Sequence, residues 1–173
     1  MTNFDKLTYP AFIQQDEQGI FCVYFPTLFL ENGWEYPLTR GETKYKAIQN
    51  AKKDLAYALA GILYDNEELP EPSPLNSNGL SKEMELVEIE TSFEPYAEEI
   101  KEHLQGRHWH IDYSNDDYIT IFEAIGFKNE QGMWDIYFED SLLFTVKFYS
   151  EAEEQFSQYV ENVILKNQKG SQT

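Results

Sequence analysis

Cysteine is nearly absent: Cys22 is the only one in 173 residues, so no disulfide can close within the chain and no paired-cysteine metal motif can be built. Basic side chains are scarce as well, 13 lysines and arginines against 31 acids, for a formal net charge of -18. The imbalance is even along the chain, with 18 acids and 7 bases in residues 1–99 and 13 acids and 6 bases in residues 100–173. Neither part offers a cationic stripe that would neutralise phosphates, so direct binding of DNA, RNA or an anionic membrane is disfavoured and a basic partner is favoured. Long apolar runs are missing too, and nothing approaches the roughly 20 residues that span a bilayer. The start, Met1 to Lys6, has neither the basic region nor the apolar run of a secretion signal, so cytoplasmic residence is the expectation. No glycine-rich phosphate loop or nucleophile elbow occurs. What is plentiful is aromatic: 12 Tyr, 12 Phe and 3 Trp within a 42% hydrophobic composition, which places the chain among folded proteins despite its charge.

Along the chain, residues 7–14 read as a strand and 19–25 as its hairpin partner, joined by Asp16-Glu17-Gln18-Gly19. Pro10 points to an edge or a strand start. In the second strand Phe21, Val23 and Phe25 face one way and Ile20, Cys22 and Tyr24 the other, so each side needs a cover. Tyr45, Ile48, Ala51, Leu55, Ala58, Leu59 and Ile62 recur at three- and four-residue spacing, which predicts a helix over 44–64 able to cover one side. Thr43 is its candidate cap. The other side falls to this chain's own second half, a dimer mate or another protein. Asn32-Gly33, with Trp34 and Tyr36 after it, is a hairpin signal inside the long connection 27–38. Residues 67–82 hold three prolines with Asn, Ser and Gly, a composition that by itself marks a boundary.

The residues Tyr9-Pro10-Ala11, Asp16 to Gly19, Val23-Tyr24-Phe25-Pro26, Thr39-Arg40-Gly41-Glu42-Thr43, then Ala47, Asn50-Ala51, Leu55, Ala58-Leu59 and Leu69-Pro70-Glu71-Pro72-Ser73 follow one another in an order that resembles the HicB-type antitoxins. The resemblance covers residues 7–93 and implies a β-β-β-α-β domain like a partial RNase H fold over 1–93. Under it, the proline-rich segment is an internal crossover and residues 84–91 form a strand that returns to the sheet. Two departures stand out: Lys44 and Lys46 occupy the first helical turn, where the family carries acids, and the connection 27–38 is enlarged. The family's operator-binding module has no counterpart in residues 94–173. These read instead as a separate small α+β domain: a short helix from Glu94-Pro95, an antiparallel meander over 108–113, 118–127, 133–138 and 142–149, and a last helix capped by Ser150 and Glu153.

The overall expectation is thus an α+β protein of two domains, 1–93 and 94–173. The resemblance implies an antitoxin that neutralises a small basic HicA-type messenger-RNA-cleaving toxin, without catalysis, cofactor or metal, and that self-associates as a homodimer or higher oligomer. Candidate contacts are Asp16, Glu17, Glu67, Glu68 and Glu71 for charge, with Ile20 and Tyr24 for apolar area. A nuclease reading is weak, because two-metal hydrolysis needs carboxylates converging from strands and the first strand has none inside it. An acidic decoy occupying the nucleic-acid channel of a defence nuclease is the alternative, as is an orphan interaction module. His108, His110 and Asp112 share a strand face, an incomplete zinc set better explained as a polar face. Trp134, Ile136, Phe138, Phe144, Val146 and Phe148 are read as core.

Overall fold

The structure is a computed structural model that describes residues 6–28, 33, 35–76, 78, 80–105, 107–115 and 118–171. The opening five residues, Asn32 and Trp34 of the long connection, and Asp116 and Asp117 of a predicted turn lie outside these. The chain is of the α+β class, with two four-stranded sheets. It divides into two compact units, Met1–Leu63 with Glu68–His103, and Tyr64–Glu67 with Leu104–Thr173. Residues 94–103 therefore go with the first unit, and four residues at the end of the long helix with the second.

In the first unit, β1 (Leu7–Gln15), β2 (Phe21–Tyr24), β3 (Thr39–Gly41) and β4 (Glu85–Thr91) form a sheet of order β3-β2-β1-β4, all neighbours antiparallel. β1 is central, yet it meets β2 only over residues 12–15, while β4 runs beside it from Leu7 to Ile13. At Pro10 the strand thus has one ladder neighbour, the situation a residue without N–H tolerates. Helix α1 (Lys44–Tyr64) follows β3, and Thr43 Oγ1 accepts the Lys46 N–H at 3.1 Å as its N-terminal cap. Lys46 pairs with Glu42 at 3.3 Å and Lys44 with Glu85 at 2.5 Å, exposed contacts that set carboxylates beside the misplaced lysines. Ala47, Ala51, Leu55 and Leu59 pack on Tyr9, Ala11, Ile13, Val23, Phe25 and Ile89. Tyr45, expected on this face, is 72% exposed. Ala47 takes the central place because the helix starts close against the sheet: a Cβ on Gly41 would lie 2.3 Å from the Ala47 nitrogen. On the opposite side of the sheet Phe12 and Cys22 are nonetheless buried, at 0% and 3%.

The proline-rich segment is an internal crossover. Tyr9 donates its hydroxyl to the Pro70 carbonyl at 2.6 Å, Leu69 packs on the core, and β4 then returns beside β1. A 3-10 turn, Glu94–Tyr96, leads into α2 (Ala97–Leu104). There Glu99 accepts the Tyr57 hydroxyl at 2.6 Å and pairs with Lys53, which holds its carboxyl below the usual range.

In the second unit β5 (His108–Asn115), β6 (Tyr118–Lys128), β7 (Trp134–Phe138) and β8 (Ser141–Val146) make an antiparallel meander in sequence order. Helix α3 (Tyr149–Tyr159) continues through a π-helical turn, Val160–Ile164, into α4 (Leu165–Gly170). Trp134, Ile136, Val146, Ala152, Phe156 and Val160 belong to the core; of the other strand residues read as core, Phe138 and Phe144 are partly buried against it, and Phe148 is not among the residues packed there. The last strand ends earlier than expected and the helix begins before Ser150. Its start is held by the Phe148 N–H donating to Glu151 at 3.3 Å, and there the Tyr149 ring lies with its centroid 4.8 Å from that of Trp109. Residues after α1 are bolted into this unit. Asp65 accepts the Trp109 indole N–H at 3.2 Å and faces Arg107 at 3.7 Å, while Asn66, in the left-handed region at φ 63°, donates to the carbonyls of Gly132 and Lys147 at 2.6 and 2.7 Å. Burial pushes the Asp65 carboxyl up, with the Arg107 guanidinium opposing. Lys128 stands 3.8 Å over the Tyr64 ring and Arg107 4.0 Å over Trp109.

Candidate functional site

The β1–β2 turn is organised by one carboxylate. Asp16 Oδ1 accepts the backbone N–H groups of Gln18 at 2.9 Å and Ile20 at 2.8 Å, and Gly19 takes φ 81°, a conformation that side chains disfavour. Gln15 Nε2 closes the turn onto the Gly19 carbonyl at 2.8 Å. This fixed loop forms one wall of an open cleft of about 730 Å³ lined by Gln14, Gln15, Asp16, Glu17, Tyr24 and Glu83. Three carboxylates and a phenol thus meet around a concavity with no lysine or arginine among its lining residues. Deprotonated carboxylates only accept hydrogen bonds, so the cleft is chemically matched to guanidinium or ammonium donors.

Of the candidate contacts, Asp16, Glu17 and Tyr24 line this cleft together. Asp16 also has a local task, since its turn bonds occupy one oxygen. Ile20 sits half-buried at the end of the turn, beside the cleft residues in sequence but outside the lining. Glu68 and Glu71 lie exposed on the crossover, on either side of the Tyr9-anchored Pro70. Glu67 belongs to the second unit, half-buried near Asp65, whose carboxyl it helps to raise. Glu83 is the residue sequence reasoning missed. Its signal is register: Ile13 pairs with Glu85, so continuing the antiparallel ladder sets Glu83 opposite Gln15.

Burial pushes up the Cys22 thiol and the phenol of Tyr24, a lining residue of the cleft, so both stay protonated at neutral pH. Arg40, whose backbone pairs with Cys22 across β2 and β3, lowers both against that trend. Among the described residues no group of three or more histidines, cysteines and acids is placed to hold a metal ion, and no helix is long and apolar enough to cross a membrane.

No family model matches the chain. No curated protein matches it. Among solved structures it is similar to a chain of a toxin-antitoxin complex from Streptococcus pneumoniae, at 23% identity and a TM-score of 0.42, over 53% of this chain and 72% of that one.

Proposed function

We propose that this protein is an antitoxin that neutralises a small basic, HicA-type RNA-cleaving toxin by covering the toxin's RNA-binding surface. The observation that carries the reading is the cleft at the end of the opening hairpin, where Asp16, Glu17 and Glu83 surround Tyr24 without a basic lining residue. RNA-binding proteins present lysine and arginine to phosphates; carboxylates gathered around one cleft engage the same side chains. The half-buried Tyr24 supplies an amphipathic contact whose ring is desolvated while its hydroxyl keeps a hydrogen-bonding role. Inhibition is then steric and electrostatic, with no reaction of the protein's own and no cofactor. Glu68 and Glu71, exposed on the crossover, are further contacts for the toxin's rim.

Co-expression tests this. The full chain is expected to relieve the growth arrest caused by a HicA-type toxin, and charge reversal of Glu17 and Glu83 together is expected to abolish relief while the purified variant keeps its circular dichroism spectrum. Continued arrest with well-expressed wild-type chain rejects the toxin class, and relief that survives both reversals moves the interface elsewhere.

A further inference from the structure

The second sheet has one face covered by its helices and another that is not. Strand β6 shows this by alternation: Phe122, Ala124 and Gly126 turn inward, whereas Ile119, Ile121, Glu123, Ile125 and Phe127 point outward. Ile119 is 89% exposed, Ile121 62% and Phe127 48%, and Leu142 on β8 adds another exposed apolar side chain at 53%. Contiguous apolar area on a sheet is unusual for a surface that meets only water. It also carries a concavity, a groove of about 590 Å³ between β6 and β7 lined by Ile125, Phe127 and Tyr137 with Glu123, Asp135 and Asp140 among its acids.

The face carries no lysine or arginine among the residues named above, its exposed His108 and His110 lie on β5 beside Phe127 and Asp112, and its carboxylates are locally unfavourable. Asp112 and Glu123 are direct partners across β5 and β6, both exposed, and like charges set opposite one another destabilise a strand pair. None of the ion pairs among the described residues involves either one. The nearby cations do not help: Lys128 and Arg107 lie over Tyr64 and Trp109 instead. A polyanion is repelled by such a surface. A second copy docked on this face would present to it the same excess of carboxylates rather than lysine or arginine.

We propose that this outer face is a docking surface for a protein segment that combines apolar side chains with lysine or arginine. A cation from the partner seated between Asp112 and Glu123 converts a repulsive pair into two attractive contacts, and the partner's apolar side chains cover Ile121, Phe127 and Tyr137. The surface is separate from the cleft of the first unit and independent of what that cleft binds.

The test uses the full chain, nitrogen-15 labelled, titrated with a synthetic peptide that alternates leucine and lysine, and with a second peptide carrying serine in place of leucine. The leucine–lysine peptide is expected to shift the amides of Ile121, Ile125, Phe127 and Tyr137, and the serine–lysine peptide is expected to leave them in place. Ile121→Ser and, separately, Glu123→Lys are each expected to weaken binding about tenfold; both positions are exposed, and unchanged spectra elsewhere verify the fold. Equal shifts from both peptides, shifts confined to the first unit, or undiminished binding by both variants overturn the proposal. Peptide-independent shifts of the same amides that grow with protein concentration do so too, because a second copy is then the occupant. Failure of toxin neutralisation leaves every one of these readouts intact.

Discussion

Tyr149 stands where the last strand turns into α3, its hydroxyl donating to the His110 carbonyl at 3.3 Å and its ring edge-on to Trp134. Burial first, then the carboxylates of Glu153, Asp65 and Asp112, push its ionisation from the ordinary 10 to about 12. A folded-state value above the unfolded one means that the native state holds the proton longer. The stabilisation is complete below about pH 10 and is lost as pH rises toward about 12. Tyr149→Phe is therefore expected to be slightly less stable at neutral pH, by about 1 kcal/mol for the lost hydrogen bond, and to show a flatter loss of stability across the alkaline range, measured by urea denaturation at stepped pH. Little of this was legible beforehand. Tyr149 reads from the sequence as the end of a strand, and the capping pattern at Ser150 and Glu153 competes with an equally spaced one at Phe148 and Glu151. The structure uses the second, with the Tyr149 ring against Trp109, 40 positions earlier, and no local pattern reports such a contact.

Elements were more legible than single residues where their signals are local. The bounds of α1 follow from three- and four-residue spacing and a threonine cap, both contained within its own turns. The meander follows from short connections between strands that can pair only with their neighbours. The place of β4 beside β1 was available only through the resemblance, because composition alone marks the crossover as a boundary and nothing local says where the chain goes afterward. Glu83 was missed for the same reason. The opening hairpin separates structural from binding carboxylates. Asp16→Ala removes the acceptor of two backbone N–H groups and is expected to cost about 2 kcal/mol, whereas Glu17→Ala, exposed and without turn bonds, is expected to change stability by less than about 0.5 kcal/mol. Chemical denaturation of the two variants checks this, and on the proposed function both weaken toxin binding.

At the scale of the whole chain, a formal charge of -18 surrounds every local site with a negative potential. Encounter with a cationic partner is accelerated by that field, and salt screens it. The association rate with a basic toxin is expected to fall about tenfold or more from low to high ionic strength, with a far smaller change in the dissociation rate, as stopped-flow mixing would measure. Charge and the α+β class were readable from composition and pattern. The composition of the units was not, because residues 64–67 leave a helix of the first unit and are held by Trp109, Gly132 and Lys147 of the second.

The crossover has a practical side. Pro72, Ser73 and Pro74 are exposed, while the chain before them is tied by the Tyr9 hydroxyl to the Pro70 carbonyl and the chain after them is zipped along β1 from Leu7 to Ile13. A protease nick at that bend would leave two fragments still laced into one sheet. The same position therefore offers a natural seam for dividing the protein into complementing halves whose reunion reports that they have met.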